Sequence, residues 1–142
     1  MTHPNALQLR TMYDGVGQGD LDPLIASLAD DVSWIDSSLG PLAGEFTGKD
    51  DVLGFFGKMM GIYGDTFRLE ITAILADDDR GVVLTSEAGT SSGGSLAWTG
   101  VHLWTFRDGR CTRFQSVTDK AYNHFWAQRQ ASGGTLAEDS QY

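Results

Sequence analysis

The sequence predicts an α+β domain in which helices pack on one face of a curved antiparallel sheet, and three observations carry that prediction. Helix-spaced apolar residues are concentrated before Tyr63, segments rich in Val, Ile, Leu, Thr, Trp and Phe run from Phe67 to Asp119, and short Gly-containing turns join the later segments. Helices that precede strands, instead of alternating with them, argue against a parallel α/β fold. At 142 residues the chain makes one domain, able to bury about two thirds of its unfolded surface without disulfide or metal.

The elements follow in order. Ala6, Leu7, Leu9, Met12, Tyr13 and Val16 recur at helical spacing, and Gly15, Gly17 and Gly19 weaken the end of that helix. Asp22-Pro23 reads as an N-cap with proline at the first helical position, opening a short helix through Leu24, Ile25, Leu28 and Ala29 that closes at Asp30-Asp31. The next strand carries Val32, Trp34 and Asp36 on one side, because side chains alternate with period two. Ser37 to Gly48, rich in Gly, Pro and Ser, reads as a loop. Lys49-Asp50-Asp51 then opens a third helix whose acidic first turn suits the helix dipole and whose Val52, Leu53, Phe55, Phe56, Met59, Met60 and Tyr63, broad enough to be buried on most sides, roof the sheet. Strands are expected at Phe67–Leu75, Gly81–Thr90, Leu96–Phe106 and Cys111–Asp119. Asp119 is placed to cap a last helix through Ala121, Tyr122, Phe125 and Trp126. The domain is read as residues 1–128, and 129–142, with Ser132-Gly133-Gly134 and Glu138-Asp139-Ser140, as a disordered tail.

Turn chemistry sets the expected register. Gly93-Gly94 suits a two-residue hairpin turn, which would place Thr85 opposite His102 and Glu87 opposite Gly100. Arg107-Asp108-Gly109 suits a three-residue loop with Gly109 in a left-handed bulge, pairing Phe106 with Arg110 and His102 with Phe114. A two-residue Asp-Gly turn would flip the last strand and bring Arg113 and Gln115 inward, so the bulged form is preferred.

The inner face then collects Trp34, Asp36, Thr85, Glu87, Trp98, His102, Trp104, Phe114 and Ser116, closed by Phe55, Phe56, Met59 and Met60. An apolar pocket with a few polar groups is the usual form of a small-molecule site. A carboxylate beside an indole is placed to have a raised pKa, which makes Asp36 the candidate general base; His102 is the candidate donor or acid, and Glu87 orients or charges its imidazole. Trp34, Phe56, Met60, Trp98, Trp104, Phe114, Ser116 and Tyr13 are the candidate substrate contacts. Each has a structural alternative. Asp36 is equally placed to accept hydrogen bonds from the Ser37-Ser38 turn, His102 to be a satisfied core histidine, and Glu87 to point outward if the register slips.

A net charge of −9 disfavours nucleic acid and anionic membrane as partners, since both need clustered Lys and Arg. Cys111 is alone, which excludes an internal disulfide, and the opening residues have neither a basic nor a long apolar run; a cytoplasmic protein is expected. His3, His102 and His124 lack metal-ligand spacing, and no dinucleotide fingerprint or nucleophile elbow is present, so neither metal nor nucleotide cofactor is expected.

Gly19-Asp20-Leu21 before the short helix, Leu28-Ala29-Asp30-Asp31-Val32-Ser33-Trp34, the Gly44 to Gly48 loop and Val101 to Arg110 together resemble the nuclear transport factor 2-like superfamily, in its ketosteroid isomerase-like and SnoaL-like polyketide cyclase branch. The resemblance covers about residues 5 to 128. It implies a cone-shaped α+β barrel with a pocket at the wide end and a homodimer through the outer sheet face. By position, Asp36 matches the aspartate base of the steroid isomerases and His102 their oxyanion-donating acid. Their tyrosine falls on Met12, with Tyr13 one residue round the helix, and the triad of limonene epoxide hydrolases would fall near Gly89, Glu87 and Ser116 and is not present. The expected function is a cofactor-independent isomerase or cyclase acting on a hydrophobic, polyketide-like or steroid-like carbonyl compound. The alternatives are a cyclase that works by folding its substrate, and a non-catalytic binding or dimerisation module.

Overall fold

The computed structural model describes residues 2–133, arranged as four helices and one curved, unclosed six-stranded sheet. Helix α1 (Pro4–Gly17) begins at His3, whose ring Nδ1 accepts a hydrogen bond from the Asn5 amide, and it packs on the far strands of the sheet. Helix α2 (Asp22–Ser27) is shorter than expected: the chain turns to strand at Leu28, which pairs with Cys111, so Leu28 to Asp31 are not helical. Asp20, not Asp22, holds this entry, accepting from the Asp22 amide.

Strand β1 (Leu28–Asp36) is followed by a short β2 (Gly44–Thr47) inside the segment expected to be loop, then by α3 (Lys49–Tyr63) and a 3-10 turn, Gly64–Thr66. Strands β3 (Arg68–Ala76), β4 (Arg80–Ser91), β5 (Gly94–Arg107) and β6 (Arg110–Thr118) lead to α4 (Lys120–Gly133). The sheet order is β2-β1-β6-β5-β4-β3. All pairs are antiparallel except β1 with β6, which run parallel because the whole meander separates them in sequence. Helix α4 continues to Gly133, past the start of the expected tail, and residues 134–142 lie outside the described residues.

Both hairpins differ from expectation by two residues of register. Ser92 and Gly93 make the first turn, so Thr85 faces Gly100 and Glu87 faces Trp98. The second turn is the two-residue Asp108-Gly109, with both residues at positive φ (52° and 78°), so Arg107 pairs with Arg110. That turn alone would flip β6. A bulge restores the parity: the register shifts between Thr105 and Phe106, Thr112 is the extra residue, and Cys111 and Phe114 are both buried although three apart. His102 consequently faces Ser116 and Trp104 faces Phe114, and since a slip of two preserves the face, every inward residue expected on these strands is still inward.

The core lies between the concave sheet face and α1 and α3. Trp34 stacks on its rung partner Phe114 at 4.0 Å between ring centroids and meets Phe55 and Phe56 of α3 at 5.7 and 5.6 Å. Val52, Phe55, Phe56, Met59 and Tyr63 are the buried face of α3, a narrower stripe than expected, with Leu53 on the solvent side at 44% exposure. Among the described residues no helix is long and apolar enough to cross a membrane.

Candidate active site

Three adjacent strands place the polar residues in a row. Asp36 on β1 faces Ser116 on β6, and Ser116 faces His102 on β5, so the three share one rung of the concave face. Two strand spacings separate the outer pair, about 10 Å between Cα atoms. All three are buried. Above them is a cavity of about 90 Å³ lined by twenty residues, among them Trp34, Phe56, Trp98 and Phe114, with Leu42 and Tyr122 on the side of the β1 terminus.

Asp36 is 7% exposed and accepts one hydrogen bond on Oδ1, from the Ser38 amide at 2.9 Å. Burial raises its pKa; the Ser38 contacts oppose the shift, the Glu87 charge adds to it and His102 reduces it. The Asx-type contact and the raised pKa therefore coexist in one residue.

His102 is held from both sides. The Tyr13 hydroxyl lies 2.5 Å from Nδ1 and also accepts from Trp104 Nε1 at 3.1 Å. On the other side His102 Nε2 stands 3.5 Å from Glu87 Oε2, which accepts from Thr85 Oγ1 at 2.7 Å. Glu87 is four residues along the strand from the partner of His102, so two long side chains have to lean together across the intervening rung. Gly100 makes that possible: a Cβ there would come within 2.7 Å of Thr85 Oγ1 and 2.8 Å of Glu87 Oε2.

Of the residues singled out in the sequence, Asp36, Glu87, His102, Trp34, Phe56, Trp98, Phe114, Ser116 and Tyr13 all line the cavity. Met60 does not; it is 52% exposed, because it follows Met59 on α3 and a step of one residue turns the side chain about 100° away from the buried face. Trp104 is buried behind Tyr13, to which its indole N–H points, and is not part of the wall. Sequence reasoning gave no site role to Tyr63 and Tyr122, whose phenols line the cavity and are pushed up by burial. Their signal was helical spacing: Tyr63 lies one turn beyond Met59, and Tyr122 three residues after the Asp119 cap. Cys111 is buried and does not line the cavity, and burial pushes its thiol up to about 12. Among the described residues no cluster of His, Cys, Asp and Glu could hold a metal ion.

No curated protein matches this chain significantly. Similar solved structures include an NTF2-like protein of unknown function from Burkholderia pseudomallei (29% identity, TM-score 0.75, 83% of this chain and 92% of that one). TerC, crystallised with polyporic acid, is 26% identical (TM-score 0.76, 87% and 98% covered). A protein of cystatin-like fold from Xanthomonas campestris is 21% identical (TM-score 0.78, 87% and 98% covered) and shares the fold. The profile of the SnoaL-like domain matches residues 9–114, most of the sheet and the helices that cover it. With that match and the six-stranded curved sheet, the chain belongs to the SnoaL-like family of the nuclear transport factor 2-like superfamily.

Proposed function

We propose that the protein is a cofactor-independent isomerase or cyclase for a hydrophobic carbonyl compound, polyketide-like or steroid-like. Asp36 removes a proton from the carbon beside the carbonyl, and His102 donates a hydrogen bond to the enolate oxygen that forms; the proton then returns to another carbon, or the enolate carbon attacks a second carbonyl carbon of the same molecule, whose π bond opens and whose oxygen takes the proton from Asp36. The observation that carries this reading is the rung itself: a buried carboxylate of raised pKa and a buried imidazole face the same apolar cavity, separated only by Ser116. A base with its pKa moved toward neutrality is better matched to abstraction of a weakly acidic C–H. The lining carries Asp36 and Glu87 and neither Lys nor Arg, which favours a neutral substrate over an anionic one.

Neutral steroids and polyketide fragments are the first test ligands, and polyporic acid, with which TerC was crystallised, is the anionic comparison expected to bind less well. Because Trp34 and Trp98 line the cavity, saturable quenching of tryptophan fluorescence reports binding. With a substrate found, Asp36→Asn is expected to lower the rate by about 10²-fold or more, the usual worth of general-base catalysis. A much smaller loss would assign the chemistry to substrate folding in the aromatic cavity, a reading favoured by the fact that Asp36 is already used to hold the Ser38 turn. Binding without turnover of any ligand would make the chain a binding module.

A homodimer through the outer sheet face belongs to the same proposal. Val117, Val101 and Leu84 form one outward rung, 41%, 36% and 38% exposed, with Leu103 beside them at 38%. Four apolar side chains grouped on a sheet face suit a second copy of the same stripe. Arg113 and Gln115 flank the stripe on β6 and would lie at or near that interface.

A further inference from the structure

His102 can serve as a donor to an oxyanion only if its cavity-facing nitrogen carries a hydrogen, and the surroundings of the ring decide which nitrogen that is. Trp104 Nε1 is a donor and never an acceptor. It donates to the Tyr13 oxygen, the atom that also meets His102 Nδ1. If Nδ1 held the hydrogen, the phenol oxygen would accept twice and its own O–H would be left in a buried site, 8% exposed, with no acceptor among the described residues. An unsatisfied buried hydroxyl is the costlier arrangement, so the phenol donates to Nδ1, and the neutral imidazole carries its hydrogen on Nε2.

That Nε2–H faces Glu87 Oε2 at 3.5 Å, outside good hydrogen-bond range. The carboxylate therefore attracts the N–H without closing it off, and a ligand oxygen entering from the cavity can take the bond. Thr85, donating to the same Oε2, holds the carboxylate in place across the gap at Gly100.

We infer that Tyr13 and Trp104 are positioning residues that hold neutral His102 in its Nε2–H form, so that Tyr13, expected from the sequence to touch substrate, acts through the imidazole. This rests on the reading of His102 as the donor, yet its test needs no substrate, so its failure is separable from that of Asp36 as base. The measurement is long-range 1H–15N NMR of the folded full chain labelled in its histidines, at a pH where His102 is neutral, with its signals assigned by their loss in His102→Asn.

Wild-type His102 is expected to show an acceptor-type Nδ1 and a protonated Nε2. In Tyr13→Phe the hydroxyl is gone, and the two nitrogen shifts should move toward each other as the forms mix. Trp104→Phe, which leaves the phenol without its donor, should move them less in the same direction. An Nδ1–H form in the wild type would overturn the inference without reference to any variant. Unchanged shifts in the folded variants would equally overturn the positioning role, since loss of packing alone does not preserve the tautomer through the loss of its partner.

Discussion

Asp36 and Asp119 stand at the ends of neighbouring parallel strands, and their environments push them in opposite directions. Asp36 closes β1 and Asp119 follows β6. Asp36 is buried with one backbone donor on Oδ1, and desolvation raises its pKa. Asp119 is only partly buried; burial raises it, but donors from the Thr99 amide and hydroxyl and the Tyr122 amide outweigh that and bring it below the ordinary value. The first aspartate is left with unspent basicity beside a cavity. The second spends its lone pairs on capping α4 and tying it to β5. Residue type and position in a strand do not decide which way a carboxyl shifts; the count of donors against the depth of burial does.

The largest effect that can break this comparison is on rate. Asp36→Asn should cost about 10²-fold or more in turnover, while Asp119→Ala should leave turnover within a few-fold; similar losses in both would remove the distinction. Stability should show the reverse. Asp119→Ala, losing a cap, is expected to cost about 1 kcal/mol in chemical denaturation, whereas Asp36→Asn should not destabilise the fold at neutral pH and should slightly stabilise it.

The pH dependence sharpens the same contrast. In the window from 3.8 up to its raised native pKa, folded Asp36 holds a proton that the unfolded chain has released, so its contribution to stability falls as pH rises. Asp119, depressed, contributes stability that is present above 3.8 and is lost as pH falls through its native pKa. Denaturation across pH 3 to 7 should therefore lose its low-pH fall in part with Asp119→Asn, and its opposing component with Asp36→Asn. The smallest effect is expected away from both acids. Val101→Glu on the outer face should shift sedimentation from dimer to monomer with the cavity intact, and a wild-type monomer at micromolar concentration would contradict the dimer.

Faces were legible in the sequence and registers were not. Alternation on β4 and β5 placed Glu87, Trp98 and His102 inward, and a two-residue error in either hairpin changed partners without changing faces. Asp108-Gly109 hid two compensating features, a tight turn that flips β6 and a bulge at Thr112 that flips it back. Nothing in a local pattern distinguishes that pair from one bulged loop. Strand β2 was missed because its four residues are largely exposed and pair only with the end of β1. The contact of Glu87 with His102 survived for a reason other than the expected register: Gly100 leaves the space through which they meet. Tyr13 was found as a cavity residue, but its hydrogen bond to a residue 89 positions away follows from how α1 crosses the sheet.

A carboxyl-detected 13C NMR titration that resolves Asp36 and Asp119 in the same sample tests the central claim most directly. The account predicts that the two midpoints move apart from 3.8, Asp36 above and Asp119 below. An Asp36 midpoint at or below that of Asp119 would contradict the assignment of Asp36 as the base of the site.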